Sequence, residues 1–196
     1  MEGILSRVHL VTRVLATSSR YYSRRINEFL NELATSLPGV EKIVRGKKSY
    51  RTLLEEAVAR GASYLLLVGS RRGNPASIEF LGVERRGWLP YSLRISGVKM
   101  REDLGVYIVR KPRANSAAIV DYTASELVDI FMEIFGYTPY YSIDLEKLRG
   151  RYDTLIVIRG NPGDYSVELI DGKDLGPRGL SFKVKGIKIK YVRNIS

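Results

Sequence analysis

Apolar and polar positions along the chain fall into a strand, turn and helix order that occurs twice. Val8, Leu10, Val11, Val14 and Leu15 favour β structure and predict a buried strand that turns at Thr17-Ser18-Ser19. Ile26, Phe29, Leu30, Leu33 and Leu37 then recur at helical spacing, with Ser23 placed to cap the helix and Leu37-Pro38-Gly39 to stop it. Val40, Ile43 and Val44 predict a short strand, and Leu53, Leu54, Ala57 and Val58 a second helix capped by Ser49 and ended before Gly61. Tyr64 to Val68 is too continuously apolar for a half-exposed strand, which predicts a central strand covered on both faces. A tight turn at Gly69 to Pro75 leads to a partner strand from Ala76 to Leu81. Leu93 to Ile95 and Val106 to Val109 read as further strands, separated by a charged turn from Lys99 to Asp103.

Lys111-Pro112-Arg113 marks the best boundary in the chain, and beyond it the order starts again. Ala117 to Val120 predicts a strand, and Leu127, Val128, Ile130, Phe131, Ile134 and Phe135 a broadly apolar helix capped by Thr123 or Ser125 and ended by Gly136. Tyr152 to Ile158, followed by Gly160-Asn161-Pro162, echoes Tyr64 to Val68 with its Gly73-Asn74-Pro75, and Ser166 to Ile170 follows as Ser77 to Leu81 does. The expected fold class is α/β of an α+β-like kind, with two similar halves, each a mixed β-sheet with packed helices resembling an anticodon-binding-domain-like unit. In the second half the middle helix shrinks to Asp144–Arg149. From Phe182 to Tyr191 lysines alternate with apolar residues, and Gly186 reverses the parity as a bulge would. That lysine row is either an auxiliary nucleic-acid contact or a guard against edge-to-edge sheet pairing, and the second is the better reading of the pattern.

Charge narrows the class of partner. The 196 residues carry a formal net charge of +11 with 44% hydrophobic residues, so a real core coexists with a surface suited to a polyanion. Residues 1–112 hold 20 basic and 10 acidic groups and residues 113–196 hold 12 and 11, which points the polyanion at the first half. The absence of cysteine excludes disulfides and thiolate metal sites and fits a reducing compartment. No window approaches a membrane span and Arg7, His9 and Arg13 interrupt any signal-peptide core, so the expected location is cytoplasmic, away from membranes.

Three basic loops are the candidate contacts. Ser19, Arg20, Arg24 and Arg25 surround the start of the first helix, where backbone N–H groups are free but the dipole disfavours cations, so an anion there would resolve the conflict. Arg45, Lys47 and Lys48 precede the second helix, and Arg71 and Arg72 occupy the third loop either as phosphate contacts or as ordinary turn residues. Trp88, flanked by Arg85 and Arg86, reads as a packing anchor ahead of a base-stacking platform. Gly39 and Gly46-Lys47 do not make a phosphate-binding P-loop, because the intervening residues form a strand. Asp129 and Glu133 share a helix face but have no histidine or cysteine partner, and no nucleophile, metal-ligand or cofactor motif occurs, so the expectation is no enzyme, no metal and no cofactor.

The segment from Thr17 to Gly39, "TSSRYYSRRINEFLNELATSLPG", followed by "RGKKS", "LLLVGSRRGNP" and "LIVIRGNPG", resembles the Brix family of ribosome-biogenesis factors, in particular its single-domain archaeal members. The resemblance spans nearly the whole chain. It implies one Brix-like domain over 1–196, with halves of about 1–112 and 113–196, that binds ribosomal RNA or its precursor alongside other ribosome-assembly proteins. It also implies RNA contacts at Ser19, Arg20, Arg24, Arg25, Arg45, Lys47, Lys48, Arg71 and Arg72. The alternatives are an anticodon-binding module acting on tRNA and a protein-binding scaffold.

Overall fold

Capping serines and apolar stripes set the helices. In the computed structural model, which describes residues 11–106 and 111–189, the Ser23 hydroxyl accepts the Ile26 N–H at 3.1 Å and opens α1 (Arg24–Ser36). Ile26, Phe29, Leu30 and Leu33 are its buried stripe. The chain then reverses at Gly39, whose φ of +78° and whose approach to Thr12 suit only a residue without a side chain: a Cβ there would sit 2.4 Å from the Thr12 carbonyl oxygen. Ser49 caps α2 (Tyr50–Ala59) through the Thr52 N–H at 3.1 Å. Gly136 ends α3 (Glu126–Phe135) in the left-handed region, as glycine does most readily.

The first half runs β1 (Val14–Ser18), α1, β2 (Val40–Lys42), α2, β3 (Tyr64–Arg71), β4 (Asn74–Gly82) and β5 (Gly87–Met100). The second runs β6 (Ala117–Asp121), α3, β7 (Thr138–Tyr141), a 3-10 turn (Leu145–Leu148), β8 (Thr154–Asn161), β9 (Asp164–Asp171) and β10 (Pro177–Ile189). One ten-stranded sheet joins them in the order β2-β1-β3-β4-β5-β10-β9-β8-β6-β7. Read inward from either edge, the two halves have the same order. Their last strands pair antiparallel at the centre, Ile95 opposite Val184 and Lys99 opposite Ser181.

Helices α1 and α3 lie on one face of the sheet and share a single core with Leu66, Val68, Ile78, Phe80, Ile156 and Phe182, among others. On the other face α2 covers Leu15, Leu65, Leu67 and Leu81, and the 3-10 turn places Leu148 over Ala118, Val120, Leu155 and Val157. Tyr64–Val68 is thus covered on both faces, as its composition predicts. The halves also lock together away from the central strands. Thr154 donates its hydroxyl to the Ser36 carbonyl at 2.6 Å, Tyr137 donates to that of Pro38 at 2.5 Å, and the Thr12 N–H donates to the Phe135 carbonyl at 3.2 Å.

Several expectations need correction. Val58 is 54% exposed and Val44 is 74% exposed, because α2 turns only Leu53, Leu54 and Ala57 inward and β2 ends at Lys42. Lys99 and Met100 continue β5, and the turn begins at Arg101. The two Gly-Asn-Pro tripeptides are not equivalent: Arg71 pairs with Asn74 across the turn Arg72-Gly73, whereas Asn161 pairs with Asp164 across Pro162-Gly163. They lie three residues out of register, although the strands that carry them match. Through Val184 the lysine-bearing β10 is paired on both sides, with β5 and β9, so guarding an edge does not explain Lys183, whereas Lys188 lies where β10 pairs with β5 alone. Val8, Leu10, most of the strand expected at Val106–Val109, and Lys190 with Tyr191 lie outside the described residues.

Candidate nucleic-acid interface

Strands β1, β2 and β3 are mutually parallel, so their C-terminal ends share one pole of the molecule. In α/β sheets this is where ligands settle, because helix N-termini and loops converge there. The three basic loops of the sequence meet at this pole. Ser19 donates its N–H to the Val68 carbonyl at 2.8 Å, tying the first loop to β3. Ser23, besides capping α1, donates its hydroxyl to the Gly73 carbonyl at 2.6 Å, so the β3–β4 hairpin tip is fastened to the helix start. The first two loops face each other across a crevice of about 260 Å³ bordered by Ser19, Arg20, Tyr22, Lys42 and Arg45.

The nine residues singled out from sequence divide by what already engages them. Arg45 is 5% exposed, stacks 4.4 Å from the Tyr50 ring centroid and points at the Ser18 and Lys48 carbonyls at 3.5 and 3.4 Å, so it is a strut between loops. Arg24 pairs with Glu28 at 2.7 Å, and Arg25 pairs with Asp103 at 2.8 Å while donating to the Val98 carbonyl at 3.2 Å. These carboxylates relieve the unfavourable placement of two cations at a helix start, so no anion is needed to explain them. Lys48 pairs with Glu56 at 2.7 Å and holds that carboxyl below its usual range. Arg20, Lys47, Arg71 and Arg72 are exposed and make no side-chain hydrogen bond or ion pair among the described residues. Ser19 is half-buried at their centre.

One member of the pole escaped the sequence reading. Lys42 reaches back to α1, where its ammonium donates to Asn27 and, at 2.8 Å, to Asn31, and burial pushes its pKa down. Asn27 and Asn31 stand one helical turn apart on the border of the apolar stripe, which is the signal that could have exposed the site. Trp88 packs edge-on against Tyr50 at 5.1 Å between centroids, as a packing anchor does.

The equivalent pole of the second half has opposite chemistry. Strand pairing places Asp121 where the first half has Ser18. The buried Asp121 carboxylate accepts the Thr123 N–H at 3.0 Å, the Thr123 hydroxyl at 2.6 Å and the Ser125 N–H at 3.3 Å. It takes the donors that an external anion would use, while the Ser125 hydroxyl makes no cap bond. The first turn of α3 adds Glu126 and Asp129, whereas that of α1 holds no acid. Arg159, near the end of β8, lies 5.1 Å over Tyr122 and pairs with Glu168 at 3.3 Å. Glu133 accepts the Tyr91 hydroxyl at 2.5 Å, a packing role.

Among the described residues no His, Cys, Asp and Glu cluster is placed to hold a metal ion, and no helix is long and apolar enough to cross a membrane. No protein-family model matches the chain. A probable Brix domain-containing ribosomal biogenesis protein of Pyrobaculum aerophilum is 49% identical over 180 residues, 92% of this chain and 97% of that protein. One of the same description from Pyrococcus horikoshii is 27% identical over 183 residues, 84% of this chain and 80% of that one. The fold is shared with the crystal structure of a probable ribosomal biogenesis protein from Aeropyrum pernix K1, at a TM-score of 0.67 and 24% identity over 94% of this chain and 99% of that one. It is shared also with Mil (Mth680), an archaeal Imp4-like protein, at 0.62 and 24% over 89% and 99%. A duplicated ten-stranded sheet, in a chain matched over most of its length by these relatives, places the protein among archaeal-type ribosomal biogenesis proteins. The chain belongs to the Brix-domain family.

Proposed function

We propose that the chain binds precursor ribosomal RNA during subunit assembly and rRNA processing, gripping the phosphate backbone at the basic pole of its first half. The observation that carries this reading is the contrast between two poles of identical topology. The first presents Arg20, Lys47, Arg71 and Arg72 without partners among the described residues, and the second has its helix start filled by Asp121. Four cations unpartnered among the described residues, grouped around the half-buried Ser19, suit phosphate oxygens and offer nothing for bond breaking, so the role is binding without catalysis or cofactor. The proposal takes 1–196 as a single Brix-like domain with halves of about 1–112 and 113–196, working in the cytoplasm beside other assembly proteins. The continuous sheet and the locked seam between halves support that unity.

Ultraviolet crosslinking in cells tests the proposal. Recovered RNA should derive from ribosomal precursors, and crosslinked peptides should come from the segments around Arg20, Lys47 and Arg72. Recovery of tRNA would favour the anticodon-type alternative, and crosslinks confined to the second pole would refute the assignment of the surface.

A further inference from the structure

The outer face of the central strands is bare. Helix α2 and the 3-10 turn cover this face over β1, β3, the end of β4 and Trp88 of β5 on one side, and over β6, β8, Tyr140 of β7 and Ile170 of β9 on the other. The sequence changes where the cover stops. Along β4 the outward positions run Ser77, Glu79, then Leu81 beneath α2, and along β9 Ser166, Glu168, then Ile170 beside the 3-10 turn. Between them, from Ser92 to Lys99 on β5 and from Ser181 to Lys188 on β10, every outward side chain is serine, arginine or lysine. A groove of about 910 Å³ lies along this face, entered at Arg71 beside the hairpin tip and continuing to Lys188.

Five cations, Arg94, Lys99, Lys183, Lys185 and Lys188, face outward from β5 and β10, and Glu79 is the sole acid on the outward positions of β4, β5 and β10 beyond the reach of α2. Arg94 donates to the Lys185 carbonyl at 2.7 Å, and Lys185 pairs with Asp164 at 2.9 Å. Lys99, Lys183 and Lys188 have no hydrogen-bond or ion-pair partner among the described residues. Each stands opposite a serine on the paired strand: Lys99 opposite Ser181, Lys183 opposite Ser96, and Lys188 opposite Ser92. Short serines keep the floor low while the longer side chains rise beside it. A protein ligand anchors on aromatic or large aliphatic side chains seated in pockets, and this stretch presents none outward. It offers a charged, hydroxyl-lined surface without a stacking platform, which is the chemistry of phosphate and ribose contact without base readout.

We infer that a second RNA-backbone track runs across the outer face of β5 and β10, continuous through Arg71 with the basic pole. The track crosses the seam between the halves, so it exists only in the duplicated protein. This inference rests on the RNA-binding reading above and adds a surface to it. It also accounts for Lys183, whose stretch of β10 is paired on both sides and has no edge to protect.

The test uses the full chain and a fluorescently labelled oligouridylate RNA, with affinity measured by anisotropy across a salt series. Three contacts with single-stranded RNA contribute roughly 2 to the magnitude of the slope of log affinity against log salt, so the Lys99→Gln, Lys183→Gln, Lys188→Gln variant should lose that much slope and bind about 100-fold more weakly near 0.1 M salt. On the unsubstituted protein, bound RNA should protect the same three lysines from acetylation, a readout that needs no variant to fold. Normal slope in the variant together with undiminished acetylation, while the unsubstituted protein binds RNA, overturns the outer track and leaves the pole reading standing. Failure of the unsubstituted protein to bind RNA at all overturns both. Binding of a polyglutamate peptide in place of RNA, lost in the same variant, assigns the face to an acidic protein segment and overturns the inference.

Discussion

Neutralising Arg20, Lys47 and Arg72 together, each to glutamine, isolates the basic pole. These side chains are exposed and unpartnered among the described residues, so their loss breaks no intramolecular interaction and stability should stay within about 0.5 kcal/mol. The matched control is Lys147→Gln, Arg151→Gln, Lys173→Gln, three exposed cations of the second half near the N-terminal end of β8. Both triples lower the formal net charge of +11 by the same three units. If each pole cation neutralises one phosphate of single-stranded RNA, the salt slope falls in magnitude by about 0.7 per residue, or roughly 2 for the triple. Near 0.1 M salt that is a loss of about 100-fold, equivalent to roughly 2.8 kcal/mol. The control removes long-range attraction alone, which salt screens beyond about 10 Å, and should cost less than about threefold. Anisotropy titrations across a salt series measure both quantities, and thermal unfolding checks that the triples remain folded. Equal losses in the two triples would show that RNA responds to net charge without a localised site.

Arg45→Ala should destabilise the fold by roughly 1–3 kcal/mol through lost stacking and loop contacts, visible in thermal unfolding, while the RNA salt slope stays unchanged because the guanidinium is buried. Arg178→Ala should cost roughly 1.5–3 kcal/mol in urea unfolding, since it removes the buried partner of Asp171 at 2.7 Å, leaving that carboxylate Lys111 at 3.6 Å and two backbone N–H groups, and takes the donor from the Pro112 carbonyl. Acid should weaken the fold through Asp103, held below its ordinary value of 3.8 by the Met100 N–H and by Arg25, and through Asp174, held down by Lys111. A depressed folded pKa stabilises above the unfolded value and loses that contribution as pH falls through the folded one, so Asp103→Asn should flatten the stability profile below about pH 4, as acid titration by circular dichroism would register.

Much of the architecture was legible because it rests on apolar period. The stripes of α1 and α3, the doubly covered β3, the Ser23 and Ser49 caps and the bulge at Gly186 all follow from local pattern, and the register shift between Val184 and Ile187 falls where the parity reverses. The duplication was read correctly from strands and helices, although the tripeptide echo lies out of register. The site was legible only as three basic loops. Which cations stay free depends on carboxylates far away in sequence, such as Asp103 opposite Arg25, and on ring packing such as Tyr50 under Arg45. A sequence pattern carries no such information, because nothing local marks which loop a distant acid reaches. The place of β10 at the sheet centre was hidden for the same reason, since an alternating strand looks alike at an edge and beneath an open face.

The two halves show which features the fold constrains and which it leaves free. Apolar positions of β1, β3 and α1 recur in β6, β8 and α3 because each half must cover the same face of the shared sheet. Poles and outward strand positions carry no such demand, and there the halves part. At the end of the first strand the halves carry Ser18 and Asp121, and Asp121 fills the donors ahead of its helix with its own carboxylate. The first half also keeps a full helix, α2, whose capped start carries the Lys47 loop, where the second keeps a single 3-10 turn. Shortening that element removes the loop that would present cations. The bare central face needs no such loss, since α2 and the 3-10 turn both stop short of Ser92–Lys99 and Ser181–Lys188, so a duplicated fold can present one basic pole and a continuous surface leading away from it.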